Sequence, residues 1–236
     1  IFTIARLTFK EAARRRILLA ALALGLVFLA VFGVGLHLIF REFENSVYDP
    51  NMLQRAETGG FLYSAGLYVV NFLVTMMTVL TSVDTLSGEI QSGTIHTLVS
   101  KPVRRWEILA GKWLGFAAMI SLYLLLMAGG VSLLVALRTG ANIPNLAQAL
   151  GLLELNALIL LSVSLFGGTF LSTLANGVLV FGLFGIAFIG GWIEQIGSYM
   201  PAAATRLATT NIGIITSLVL PSEALWKRAA YLVQTP

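Results

Sequence analysis

Cysteine is absent from the 236 residues, and histidine occurs only at His37 and His96. The first absence excludes a disulfide framework and thiolate metal sites, and the second excludes a histidine-rich one. No metal ligand set is expected. Charge is also scarce: 11% of residues are Asp, Glu, Lys or Arg, against about 25% in soluble domains. A phosphate loop is missing too, because Gly111-Lys112 has Trp106 where the first glycine of G-x-x-x-x-G-K belongs. Paired aspartates, Ser with His, or His with Glu are not found within the apolar runs, so catalytic residues are expected to be none.

What is present is apolar surface. Hydrophobic residues make up 57% of the chain, and the mean hydropathy is +0.87. The formal net charge is +4, but the cations sit beside apolar runs. That placement points to a cytosolic membrane face rather than to nucleic acid. Five runs are expected to span the bilayer: residues 17–40, 61–83, 113–137, 146–171 and 177–200. The first has about 24 residues, or roughly 36 Å of helix, enough to cross a hydrocarbon core about 30 Å thick. The fold class is therefore all-α and polytopic, with a transmembrane domain over 17–200.

Ahead of it, residues 1–16 predict an amphipathic interfacial elbow. Arg6, Lys10 and Arg14 share one side of the helix, with Arg15 and Arg16 following, while Phe2, Ala5, Phe9 and Ala12 gather on the other. Such a helix lies in the interface with its cations toward anionic head groups. The loop between the first two runs is acidic, carrying Glu42, Glu44, Asp49 and Glu57. The last two runs are close enough to form a helical hairpin, which Pro201 stops. In the tail, 201–236, the stretch Ile212 to Leu220 is too short to span. Ser222 to Leu232 reads as a short amphipathic surface helix with Ser222 as N-cap.

The most polar stretch, Asp84 to Lys112, divides two runs that hold no charge, Phe61–Val83 and Trp113–Leu137. It must protrude into water. An N-terminus inside places five elbow cations inside, together with Lys101, Arg104, Arg105 and Lys112. The opposite orientation would strand those nine of the fifteen Lys and Arg residues outside. Within the stretch, Gly93 permits a sharp turn. Ile95, Leu98 and Val99 have the spacing of a short helix with one apolar face, and Pro102 ends it. At membrane depth, Asn71, Glu154 and Glu194 are candidate linings of an outward vestibule. Met76-Met77 reads as packing. The pairs Gly167-Gly168 and Gly190-Gly191, and Gly111-x-x-x-Gly115, allow close helix approach, including between subunits.

Glu89, Ser92, Gly93, Thr94, Pro102, Arg105, Glu107, Gly111 and Lys112 together resemble the cytosolic loop of ABC-2 type transporter permeases. Elbow, first span, outer loop and cytosolic loop follow in that family's order. Within it, the sequence looks closest to the branch associated with maturation of copper enzymes, the nitrous oxide reductase permease type. The resemblance implies a permease subunit in the plasma (inner) membrane, with a cytoplasmic N-terminus. It implies an exporter powered by a separate ATP-binding subunit that docks on the 84–112 loop, and a second permease subunit as partner. ATP and magnesium would belong to that ATPase, and no cofactor to this chain. The family normally has six spans, so the sixth is expected to be missing from this sequence. The competing classes are a stand-alone channel or scaffold and an intramembrane enzyme.

Overall fold

The computed structural model describes residues 1–45, 52–93, 104–140 and 145–234. Among them it contains eight helices and no strand: α1 (Phe2–Arg14), α2 (Arg16–Asn45), α3 (Met52–Gln91), α4 (Arg105–Thr139), α5 (Leu146–Gly167), α6 (Thr173–Ser198), α7 (Ala203–Val219) and α8 (Ser222–Gln234). Five of these, α2 to α6, are long and apolar enough to cross a membrane. All five expected spans correspond to helices; the first three run past their apolar limits, whereas the fourth ends at Gly167 rather than 171 and the fifth covers Thr173–Ser198. With 40 residues, α3 is about 60 Å long, roughly twice the hydrocarbon core. The acidic connection after the first span is largely helix, because α2 continues to Asn45 and α3 begins at Met52.

Helix α1 ends where Arg15 turns extended, with φ −70° and ψ 136°. This single residue separates the elbow from the first span. Thr8 and Ala12 are buried, one turn apart on the face that packs against α4. Phe2 is exposed, clear of the α4 contact, and Arg6, Lys10 and Arg14 are exposed as the wheel suggested. The small residues of α4 decide this docking. A Cβ on Gly111 would lie 2.7 Å from the Ile4 Cβ, and one on Gly115 would lie 2.7 Å from the Ala5 carbonyl oxygen. The Gly111-x-x-x-Gly115 stripe therefore receives the chain's own elbow.

The core lies where α3 and α4 cross the middle of the bundle. Tyr63, Leu67 and Val70 of α3 meet Phe116, Ile120, Leu124 and Met127 of α4, all nearly inaccessible. Met77 belongs to the same packing. Hydroxyls along α3 bond back to its own carbonyls, as Thr78 does to Val74 at 2.8 Å and Thr85 to Thr81 at 3.0 Å. Apart from Thr75, whose buried hydroxyl has no partner among the described residues, they are thus satisfied without water, which lipid cannot supply.

Asn176 of α6 joins three helices. Its amide donates to the Val83 carbonyl of α3 at 3.1 Å and to the Ser164 carbonyl of α5 at 2.9 Å. Asn176→Leu keeps most of the volume and removes both bonds. The expected loss is about 1–2 kcal/mol, in line with interhelical polar contacts in membranes, read as an earlier unfolding midpoint in an SDS titration. An unchanged midpoint would show that the amide bonds contribute nothing.

The tail departs from the expected surface helix. Helix α7 packs antiparallel on α6, with Thr209 against Gly197, Glu194 against Gly213, and Thr216 against Gly190. The chain then turns through 107°, and α8 runs back into the bundle. Trp226, Ala229 and Val233 of α8 are buried. Its start meets mid-helix residues, Ser222 bonding Asn156, while its end meets the beginnings of α3 and α5 through Gln234–Ser64 and Asn145–Leu232. Both ends of the α7–α8 pair therefore lie at one face of the bundle, which makes the pair re-entrant rather than a sixth span. Ser222 is the first residue of α8, and its hydroxyl donates to Asn156 Oδ1 at 2.5 Å instead of capping the helix. The amphipathic pattern of α8 is real, but its apolar side is covered by protein.

Candidate functional site

The polar stretch 84–112 consists at both ends of helix. Asp84 to Gln91 continues α3, and Arg105 to Lys112 opens α4. Thr94, Pro102 and the short apolar helix expected around Ile95–Val99 lie outside the described residues, as does the side chain of Arg105. At the end of α3, Ser92 N donates to the Gly88 carbonyl at 2.9 Å and Gly93 N to that of Ile90 at 3.3 Å. Gly93 has φ 72°, the left-handed region where a Cβ costs about 1–2 kcal/mol. The turn the sequence placed there is present. On the other side, the Glu107 carboxylate accepts the Arg104 N–H at 3.0 Å. It satisfies a free donor at the start of α4 and complements the helix dipole.

The two roots of the stretch are locked together. Lys112 of α4 donates its ammonium to Glu89 Oε1 of α3. Lys112 is 4% exposed, and the second oxygen of Glu89 is buried without a hydrogen-bond partner. A buried ion pair with good geometry offsets the desolvation of both groups. The pair thus fixes where the outgoing and incoming helices stand.

A second contact set ties the α3 root sideways. Asp84 Oδ1 accepts the Thr173 hydroxyl at 3.2 Å, and Ser87 and Thr173 share a hydrogen bond of 2.9 Å. Asp84 also lies 3.9 Å from Arg15, which pairs with Glu11 at 3.2 Å. Asp84 and Glu11 are well exposed, so these ion pairs add little stability. Their value is positional: the elbow junction, the end of α3 and the start of α6 meet at one end of the bundle. The roots of the stretch are thus held to α1 and α6 as well as to each other.

The three intramembrane candidates have separate hydrogen-bond partners. Glu154 shares a hydrogen bond of 2.6 Å with the Ser121 hydroxyl of α4. Asn71 accepts the Asn156 amide at 3.1 Å, and Asn156 in turn holds Ser222 of α8. Glu194 takes the Lys227 ammonium of α8 at 2.6 Å. Two of the three thus face the re-entrant helix. The sequence reading set Ser222, Glu223 and Lys227 on a surface helix, whereas the structure brings them to this depth. Their signal was a short apolar segment ended by Pro221, the mark of a discontinuous helix pair at membrane depth.

A protein-family profile described as "ABC-2 family transporter protein" matches residues 2–234. No curated protein matches the chain.

Proposed function

From the premise that the chain belongs to the ABC-2 transporter family, whose permeases are membrane-embedded and partner with an ATP-binding subunit, we propose that it is an exporter permease driven through residues 84–112. The observation that carries this reading is the buried Lys112–Glu89 pair at the roots of the stretch. It joins two long helices, both running past their apolar limits, into one lever whose tip is the connection between them. The ATPase binds that tip from the cytosol, and its closure tilts α3 and α4. The N-terminus is cytoplasmic, supported by the elbow and the stretch lying at the same end of the bundle and sharing most of the cations. Two permease chains, identical or not, enclose the path in the plasma membrane. Glu89, Lys112, Glu107 and Gly93 shape the lever, while Ser92, Thr94 and Arg105 serve the contact with the ATPase.

Replacing Gly93 with valine and Arg105 with alanine together tests the coupling. The valine strains the left-handed turn, and the alanine removes a charge from the lever. Membrane insertion and yield are expected to stay at wild-type levels. ATP hydrolysis by the co-purified ATPase is expected to lose its dependence on the permease. A double variant that still binds and stimulates its ATPase normally would sink the assignment.

A further inference from the structure

Glu154 sits on the seam between α4 and α5. Its neighbours Gly151 and Leu155 are exposed on the outer side of the bundle, whereas Leu153 and Ala157 are buried. Nearer the α5–α6 turn the same seam is tied by Trp113, whose indole donates to the Ser162 hydroxyl at 3.0 Å. Ser121 stands nine residues beyond Lys112, and Glu154 thirteen before Gly167, or about 13 Å and 20 Å along their helices. In a hydrocarbon core about 30 Å thick, their contact lies far from either surface.

The Ser121 hydroxyl lies 2.6 Å from Glu154 Oε1 and 2.9 Å from the Ala117 carbonyl oxygen. It has one hydrogen for two acceptors. Glu154 Oε2 is buried and has no hydrogen-bond partner among the described residues. Nor does a cation answer the carboxyl. On the helices packed against α5, Lys112 pairs with Glu89 and Lys227 with Glu194. Asp84 takes the Thr173 hydroxyl, Glu223 lies against Gly191, and Arg228 stacks over Tyr231. Glu57 of α3, and Glu107 and Arg138 of α4, stand near the ends of their helices. Among the described residues, only burial and the Ser121 contact act on Glu154. An ionised Glu154 would be a lone charge at membrane depth with a share in one hydrogen bond, which is a costly arrangement. A carboxylic acid resolves the shortage of hydrogens: its O–H donates to Ser121 Oγ, and the serine hydrogen serves Ala117.

We propose that Glu154 is a proton-binding site within the bilayer, held as a carboxylic acid that closes the α4–α5 seam by donating to Ser121. Parting the seam removes that acceptor and admits water, so movement of α4 and release of the proton are linked. That an ATPase drives the movement rests on the permease reading; the bound proton does not.

The test uses the full chain in phosphatidylcholine nanodiscs at neutral pH, without any ATPase. The infrared difference between wild type and Glu154→Gln is expected to show the loss of one carbonyl stretch of a protonated carboxylic acid. The glutamine amide can still donate to Ser121, so the fold is expected to hold. In Ser121→Ala the acid band should remain and move to higher frequency, because its hydrogen bond is gone. A carboxylate band in the difference spectrum, or an acid band unmoved in Ser121→Ala, would overturn the proposal. A second measurement needs no variant. Dicyclohexylcarbodiimide enters from the lipid and adds to protonated carboxyls: the carboxyl oxygen bonds its central carbon, the proton goes to its nitrogen, and the adduct rearranges to a stable N-acylurea with no group leaving. Peptide mass mapping should find that adduct on Glu154, and a wild-type chain unmodified there would equally count against the bound proton. Loss of ATPase coupling in the loop variants leaves both results untouched, so the two readings fail separately.

Discussion

Lys112→Met should be the most damaging single substitution at the lever. It strands Glu89, one of whose oxygens is already buried without a partner, in a setting where its side chain is only 18% exposed. Breaking a buried ion pair from one side costs about 3–5 kcal/mol, much of it the uncompensated charge that remains. In a detergent-solubilised protein this reads as loss of the monodisperse peak after mild heating. Glu89→Gln combined with Lys112→Met removes both charges and should restore most of the stability. The double variant should still fail to transmit ATP hydrolysis, since α3 and α4 are no longer tied at their roots. If single and double variants lose stability equally, the pair does not hold the two helices together. The comparison thus separates folding from coupling, which a single substitution confounds.

Gly115→Leu should release the elbow. The leucine Cβ would stand 2.7 Å from the Ala5 carbonyl oxygen and 2.8 Å from the Thr8 Cβ. The first is backbone and the second a short β-branched side chain, so neither yields unless α1 moves. Overpacking of this kind costs about 1–3 kcal/mol, equivalent to roughly tenfold to a hundredfold in the population of an opened elbow. Trypsin cleavage at Arg14-Arg15-Arg16 should accelerate by that factor in right-side-in vesicles opened to the protease. Gly129→Leu is the control, because no atom lies within 4 Å of its added Cβ. Equal cleavage rates in the two variants would show that the glycine stripe does not seat α1. This outcome also bears on assembly, since a stripe filled by the chain's own elbow is not available to a second subunit.

The spans were legible because lipid enforces a simple rule. Phe61–Val83 and Trp113–Leu137 carry no charge, and only a helix satisfies its backbone in hydrocarbon. The elbow was legible from three cations at four-residue spacing, and the polar stretch from its charges standing between two uncharged runs. Even the Gly93 turn could be read, because glycine there is needed for its backbone and not for its neighbours. Each of these features follows from local composition, which neighbouring helices do not alter.

The tail could not be read in the same way. Glu223, Lys227 and Arg228 make α8 look like a helix for water, and the apolar part of α7 is too short to cross a bilayer. What draws the pair inward lies elsewhere in the chain: Asn156 receives Ser222, Glu194 receives Lys227, and Gly190, Gly191 and Gly197 open room on α6. The partners of the intramembrane acids were no easier to read, since Glu154 bonds Ser121 of α4 and Glu194 bonds Lys227 of α8. Sequence alone determined which segments cross the lipid as single spans, because that is a property of each segment against its solvent. Only the tertiary structure decided which polar side chains meet within it, because a buried charge is settled by the partner that long-range packing brings to it.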